Sequence, residues 1–180
     1  MNPIKIKGVD LKFNSSSEIC SIEEKTSGEI QTALIQNLTE TSFFKGVGIK
    51  ELTHIGPKRL TYHISLPAKD FPKVPKRTSE FIEYINRAVV LTKAILAVHQ
   101  AKHCFGILSD DRFEIGHTGE LILLGLSLFK KSYSKNDLTA YHDNYFYFLA
   151  PEYSERSNVQ PDYRADFYGL GVLLHYWLTG

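Results

Sequence analysis

The sequence predicts an α+β fold in which a small β-rich region, residues 1–66, precedes a mainly helical one, residues 67–180, and three observations carry that prediction. In the first part, apolar and polar side chains alternate in short runs, most clearly where Leu60, Tyr62, Ile64 and Leu66 are separated by Thr61, His63 and Ser65. Such alternation marks a half-buried strand. Beyond Pro67, Pro72 and Pro75 the apolar residues take helical spacing instead. Finally, Phe167 to Leu178 is apolar, aromatic or Gly at nearly every position, which predicts a helix buried on all sides.

Taken in order, Ile4 to Phe13 and Glu18 to Glu24 read as strands joined by the polar turn Asn14–Ser17, and Ile30 to Leu38 reads as a third strand after the turn Thr26-Ser27-Gly28. Thr39 to Lys45 offers a short helical piece, and Leu60 to Leu66 is the next strand. The three prolines keep the following segment out of helix. Ser79 then caps a long helix with Glu80 and Glu83 in its first turn, and Phe81, Ile85, Ala88, Ile95 and Val98 supply its apolar face through about Lys102. Phe105 to Ile115, the turn Gly116-His117-Thr118-Gly119 and Glu120 to Leu124 make a loop and hairpin. Tyr145-Phe146-Tyr147-Phe148 reads as core, with a partner-facing patch as the second reading. Asp166 opens the last helix, where burial requires that its carboxylate accept hydrogen bonds from a fixed backbone or be otherwise paired.

Composition narrows the function classes. With 43% hydrophobic and 23% charged residues, the 180-residue chain suits a soluble globular domain. A net charge of +1 provides no field for nucleic acid or an anionic membrane, and the cluster Lys69, Lys73, Lys76 and Arg77 reads as a solvated loop. The sequence shows no signal peptide and no apolar run near the roughly 18 residues that a membrane helix needs. With Cys20 and Cys104 as the only cysteines, a reduced, cytoplasmic setting is expected. His99 and His103 stand four apart, but Gln100 replaces the glutamate of a zinc-type motif, so they read as packing or surface residues rather than metal ligands.

Ala150-Pro151-Glu152, followed by Asp166-x-Tyr168-x-Leu170-Gly171-Val172 and Leu178-Thr179-Gly180, resembles the end of the activation segment and the central helix of eukaryotic-type protein kinases. Arg156, Asn158 and Asp162-Tyr163-Arg164 make it similar to the kinase-like domains at the N-terminus of large hybrid histidine kinases, bacterial and fungal. The resemblance implies a two-lobed kinase-like fold whose second lobe stops after the central helix, with Ala150, Pro151, Glu152 and Asp166 as fold markers and Asp166 anchoring the catalytic-loop backbone. Several helices would still be owed beyond Gly180, and an exposed underside of the last helix would follow from that.

The same resemblance locates the chemistry, and finds it missing. The turn that should hold glycines over ATP phosphates is Asn14-Ser15-Ser16-Ser17, and the phosphate-contacting lysine is replaced by Gln36. Registered on the hairpin, the catalytic aspartate becomes Ile107, the metal-binding asparagine Arg112 and the metal-binding aspartate Gly125. The expectation is therefore a pseudokinase with no catalytic residues, no metal site and no ATP or magnesium binding, serving as an input domain for other domains of the same chain or for signalling partners. A phosphate on Ser132, Tyr133, Ser134, Thr139 or Tyr141 would face Lys130, Lys131 or Arg164, though an ordinary polar loop is the plainer reading. Two alternatives stay open: an atypical Ser/Thr kinase using Asp110 or Asp111, and an interaction scaffold unrelated to histidine kinases.

Overall fold

A computed structural model describes residues 9–15, 19–26, 29–65, 67–68, 75–133, 146–153 and 162–180. The N-terminal part is one antiparallel sheet of four strands, β1 (Val9–Ser15), β2 (Ile19–Thr26), β3 (Ile49–Ile55) and β4 (Arg59–Ser65), in the order β1-β2-β4-β3. The alternation read from Leu60, Tyr62 and Ile64 is realised in β4, where all three are buried. On β2 the residues sharing that face are Cys20, Ile22 and Glu24, with Ile22 opposite Tyr62 and Glu24 opposite Leu60.

The segment expected to be a third strand is a helix. Helix α1 spans Thr32–Thr39, followed by the single turn α2 (Phe43–Gly46). Ile30, Leu34 and Leu38 stand four residues apart and are all buried, with Ile35 beside them, which is helical spacing rather than alternation. Gln36 is therefore an exposed residue on a helix, not a sheet residue facing a nucleotide. Strand β3 was not legible because its pairing with β4 slips twice, between Ile49 and Glu51 and between Leu52 and His54. Each irregularity breaks the two-residue period on which strand recognition depends.

Helix α3 (Thr78–Gln100) begins two residues earlier than expected, with Arg77 rather than Ser79 at the cap position. The Glu80 carboxylate accepts the backbone N–H groups of Lys76 (2.6 Å) and Arg77 (3.1 Å), satisfying donors that have no partner within the helix. Its buried stripe is Arg87, Leu91, Ala94, Ile95 and Val98. Phe81 and Ile85, assigned to the apolar face from sequence, are 43% and 56% exposed.

The hairpin appears as expected, β5 (Phe113–Ile115) against β6 (Leu121–Leu123), and β6 is wholly buried. Helix α4 (Arg164–Thr179) corrects the expectation of burial on all sides. Ala165, Asp166, Gly169, Leu170, Leu173 and Trp177 face inward, whereas Phe167, Tyr168, Tyr176 and Leu178 are each at least 40% exposed. Tyr147 is exposed too, while Phe148 packs edge-on against Tyr176. The Tyr84 hydroxyl of α3 donates to the Leu174 carbonyl of α4 at 2.9 Å. Sheet, hairpin and helices share one hydrophobic cluster running from Cys20 to Trp177. Among the described residues, no helix is long and apolar enough to cross a membrane.

Candidate functional site

The site is built around the buried run Cys104–Ser109, which lies between the end of α3 and the hairpin. A buried irregular backbone must find partners for its N–H and C=O groups outside regular structure. Asp166, in the first turn of α4 and 2% exposed, supplies them on one side: its carboxylate accepts the N–H groups of Phe105 (2.7 Å) and Gly106 (3.0 Å). His99 Nε2 lies 2.7 Å from the same carboxylate, and the ring is held edge-on between Tyr163 and Phe167. Gly106 has φ of +89°, and a Cβ there would stand 2.1 Å from the Tyr133 hydroxyl oxygen. That hydroxyl donates to the Leu128 carbonyl.

Arg112 supplies the other side. Its guanidinium is fully buried and donates to the carbonyls of Phe105 (3.1 Å), Ile107 (2.8 Å), Leu124 (3.4 Å) and Gly125 (3.0 Å). Phe105 and Phe129 lie against it, with ring centroids 4.8 and 5.9 Å from Cζ. Burial pulls the guanidinium below its ordinary pKa, opposed by Tyr133, Glu24, Asp111 and Asp166 in that order. A buried cation is tolerable only with its donors satisfied, and here the two loops it joins provide the acceptors.

Glu24 is the residue that sequence reasoning missed. It is fully buried on the inner face of β2, and its carboxylate accepts the N–H groups of Gly125 (2.7 Å), Leu126 (3.1 Å) and Ser127 (2.9 Å). The Tyr62 hydroxyl donates to it at 2.5 Å, and burial first, then the Glu24 charge, holds that phenol well above its ordinary pKa. Gly125 is thus gripped from both ends, its N–H by Glu24 and its carbonyl by Arg112. Its φ of +74° is left-handed, a conformation that glycine adopts without steric cost.

The remaining candidates are dispersed. Ile107 is buried beside Cys104 and Tyr133. Asp110 accepts the indole N–H of Trp177 at 2.7 Å, and Asp111 accepts the Ser109 hydroxyl, so both tie the one-turn helix Asp110–Arg112 to its surroundings. Ala150 is buried and its carbonyl accepts the Tyr153 N–H at 2.9 Å, closing the turn that contains Pro151 and Glu152. Tyr133 is buried with its hydroxyl engaged, which removes it as an accessible modification site. Ser132 is exposed, and Ser134, Thr139, Tyr141, Arg156 and Asn158 lie outside the described residues, as do Lys69 and Lys73. His103 Nδ1 faces the Ala101 carbonyl at 2.6 Å while His99 faces Asp166, so the two rings are directed to separate partners.

The donor set can be tested against the magnesium-bound phosphates that the kinase resemblance calls for. Magnesium takes oxygen ligands, chiefly carboxylates, phosphates and water. The segment 125–127 instead turns N–H donors toward Glu24, which spends both oxygens on them, and the neighbouring side chain is the cation Arg112. These residues do not fit a magnesium-bound phosphate. Among the described residues, no group of three or more His, Cys, Asp or Glu side chains is placed to hold a metal ion.

Neither models of known protein families nor the curated proteins yield a match to this chain.

Proposed function

We propose that this chain is a catalytically inactive, protein-kinase-like input or docking domain of a larger cytoplasmic signalling protein, most closely in the manner of a hybrid histidine kinase working through a His-to-Asp phosphorelay. The observation that carries the reading is the Glu24–Gly125–Arg112 grip. In an active kinase a sheet lysine and two acid or amide side chains hold phosphates and magnesium. Here the buried sheet residue directed at the equivalent tripeptide is an anion, and the residue at the asparagine position is a cation that binds only main chain. Catalysis by positioned charge needs groups aimed at the reacting phosphate, and these groups are aimed at the protein itself. The sheet, the loop, the hairpin and a central helix with a loop-anchoring acid also support the kinase-like reading of the fold.

The test is thermal unfolding with and without ATP and magnesium, paired with a radiolabelled phosphotransfer assay. No stabilisation at millimolar nucleotide and no transfer are expected. A ligand at a hundred times its dissociation constant adds about 2.7 kcal/mol to stability, so a magnesium-dependent rise in the unfolding midpoint would sink the inactive-domain reading. It would then send attention to Asp110→Ala and Asp111→Ala.

A further inference from the structure

We infer that the cleft at the C-terminal end of α3 is a binding site for a phosphate monoester. The cleft encloses about 260 Å³ and is lined by His99, Lys102, His103, Cys104, Lys131, Ser132, Asp162 and Tyr163. Its volume falls below the roughly 300 Å³ at which pockets for drug-sized ligands begin, so it suits a phosphoryl group on a short stem.

The charges in the wall favour an anion of that kind. Asp162 is the one carboxylate lining the cleft, and it is already bound to Arg164 by contacts of 2.8 to 3.0 Å. The ammonium groups of Lys102 and Lys131 have no carboxylate partner among the described residues. Ser132 adds a hydroxyl donor, and burial pushes the Cys104 thiol up to about 12, so it brings no negative charge to the wall. Two ammonium groups and a hydroxyl match a tetrahedral dianion, which accepts several charge-assisted hydrogen bonds.

The backbone gives a second, independent observation. Helix α3 ends in a Schellman motif, with the His103 N–H donating to the Val98 carbonyl (3.1 Å) and the Lys102 N–H to the His99 carbonyl (2.8 Å). The residue following the cap in this motif takes a left-handed conformation and is usually glycine. Here it is Lys102, with φ of +58°, the only non-glycine residue with positive φ among the described residues. A side chain kept where glycine fits better points to a use for that side chain, and the use available to Lys102 is the cleft it lines.

The experiment measures the unfolding midpoint in sodium phosphate and, separately, in O-phospho-L-serine, each against sodium chloride of equal ionic strength. Wild type, Lys102→Gly and Lys131→Ala are compared. At about ten times the dissociation constant the wild-type midpoint should rise by about 3 to 6 °C. Lys102→Gly should fold with an unliganded midpoint at or above wild type, because glycine suits the position, and both variants should lose the rise. A rise with phosphoserine alone assigns the site to a phosphorylated side chain, and a rise with inorganic phosphate assigns it to a free anion or small phosphate. No rise beyond the chloride control, or a full rise kept in both variants, overturns the proposal. Neither nucleotide nor magnesium is present, so this outcome is separate from that of the phosphotransfer test.

Discussion

Tyr62→Phe is the mildest way to probe the Glu24 network, because it keeps the buried ring and removes one donor. The hydroxyl gives Glu24 a 2.5 Å hydrogen bond, and a hydrogen bond to a charged group contributes about 1.5–3 kcal/mol. A loss of that size is expected in urea unfolding. Glu24→Ala should cost more, about 3–5 kcal/mol, since three backbone N–H groups lose their acceptor together and the Arg112 cation loses a neighbouring charge. Equal stabilities for wild type and Tyr62→Phe would mean that the Glu24 carboxylate is satisfied without the phenol. Sequence carried a trace of this site: Cys20, Ile22 and Glu24 alternate, which puts an acid on an apolar face. The trace was hidden by Glu23 and Lys25, which make the run look solvated and which do pair with each other on the outer side. Asp166 was easier to read, because an acid opening an apolar helix has to be paired, whereas Arg112 was legible only as a missing asparagine and not as the clamp it forms.

At the level of elements, what could be read depended on whether a single period was kept. Strand β4 and the hairpin kept theirs, and their outlines were visible. Ile30 to Leu38 contains apolar residues that satisfy either period over a short window, and burial of positions 30, 34 and 38 against the sheet decided for the helix. The long helix α3 was legible in extent, but its N-terminal apolar residues Phe81 and Ile85 point outward, and no local pattern distinguishes them from the buried ones. Its start offers a pH test. The Glu80 carboxyl is held below its ordinary pKa of 4.5, first by the Lys76 N–H; desolvation is the next effect and opposes it, and the Arg77 N–H and the Arg77 and Lys76 charges then add to the lowering. A depressed folded pKa means that the stabilisation is present above the unfolded value and is lost as pH falls through the folded one. Glu80→Gln should therefore be less stable than wild type at pH 7, and the difference should close as the pH drops below about 4.5. A difference that stays constant down to pH 2 would show that the cap acts through shape rather than charge.

Across the whole molecule, the sheet and the helical part are joined by buried polar bonds as well as apolar contact. Glu24 on β2 reaches Gly125, Leu126 and Ser127, and the Val47 carbonyl accepts the Leu123 N–H at 3.1 Å. Gly48 fits so closely there that a Cβ would meet Ile122 Cγ1 at 2.8 Å. One hydrophobic cluster runs through both parts. Elements that share a core and buried hydrogen bonds should unfold together, and probes in different places should then report the same transition. Trp177 is the sole tryptophan and sits in α4 against Phe113, so its fluorescence follows the helical part, while backbone circular dichroism follows the entire chain. The two urea curves are expected to coincide in the wild type. Glu24→Ala removes three buried hydrogen bonds between the parts, so its curves should separate, with fluorescence change lagging behind part of the dichroism change. Separate curves already in the wild type would instead mean that sheet and helices unfold as independent units, and that the Glu24 grip positions the loop without coupling the two.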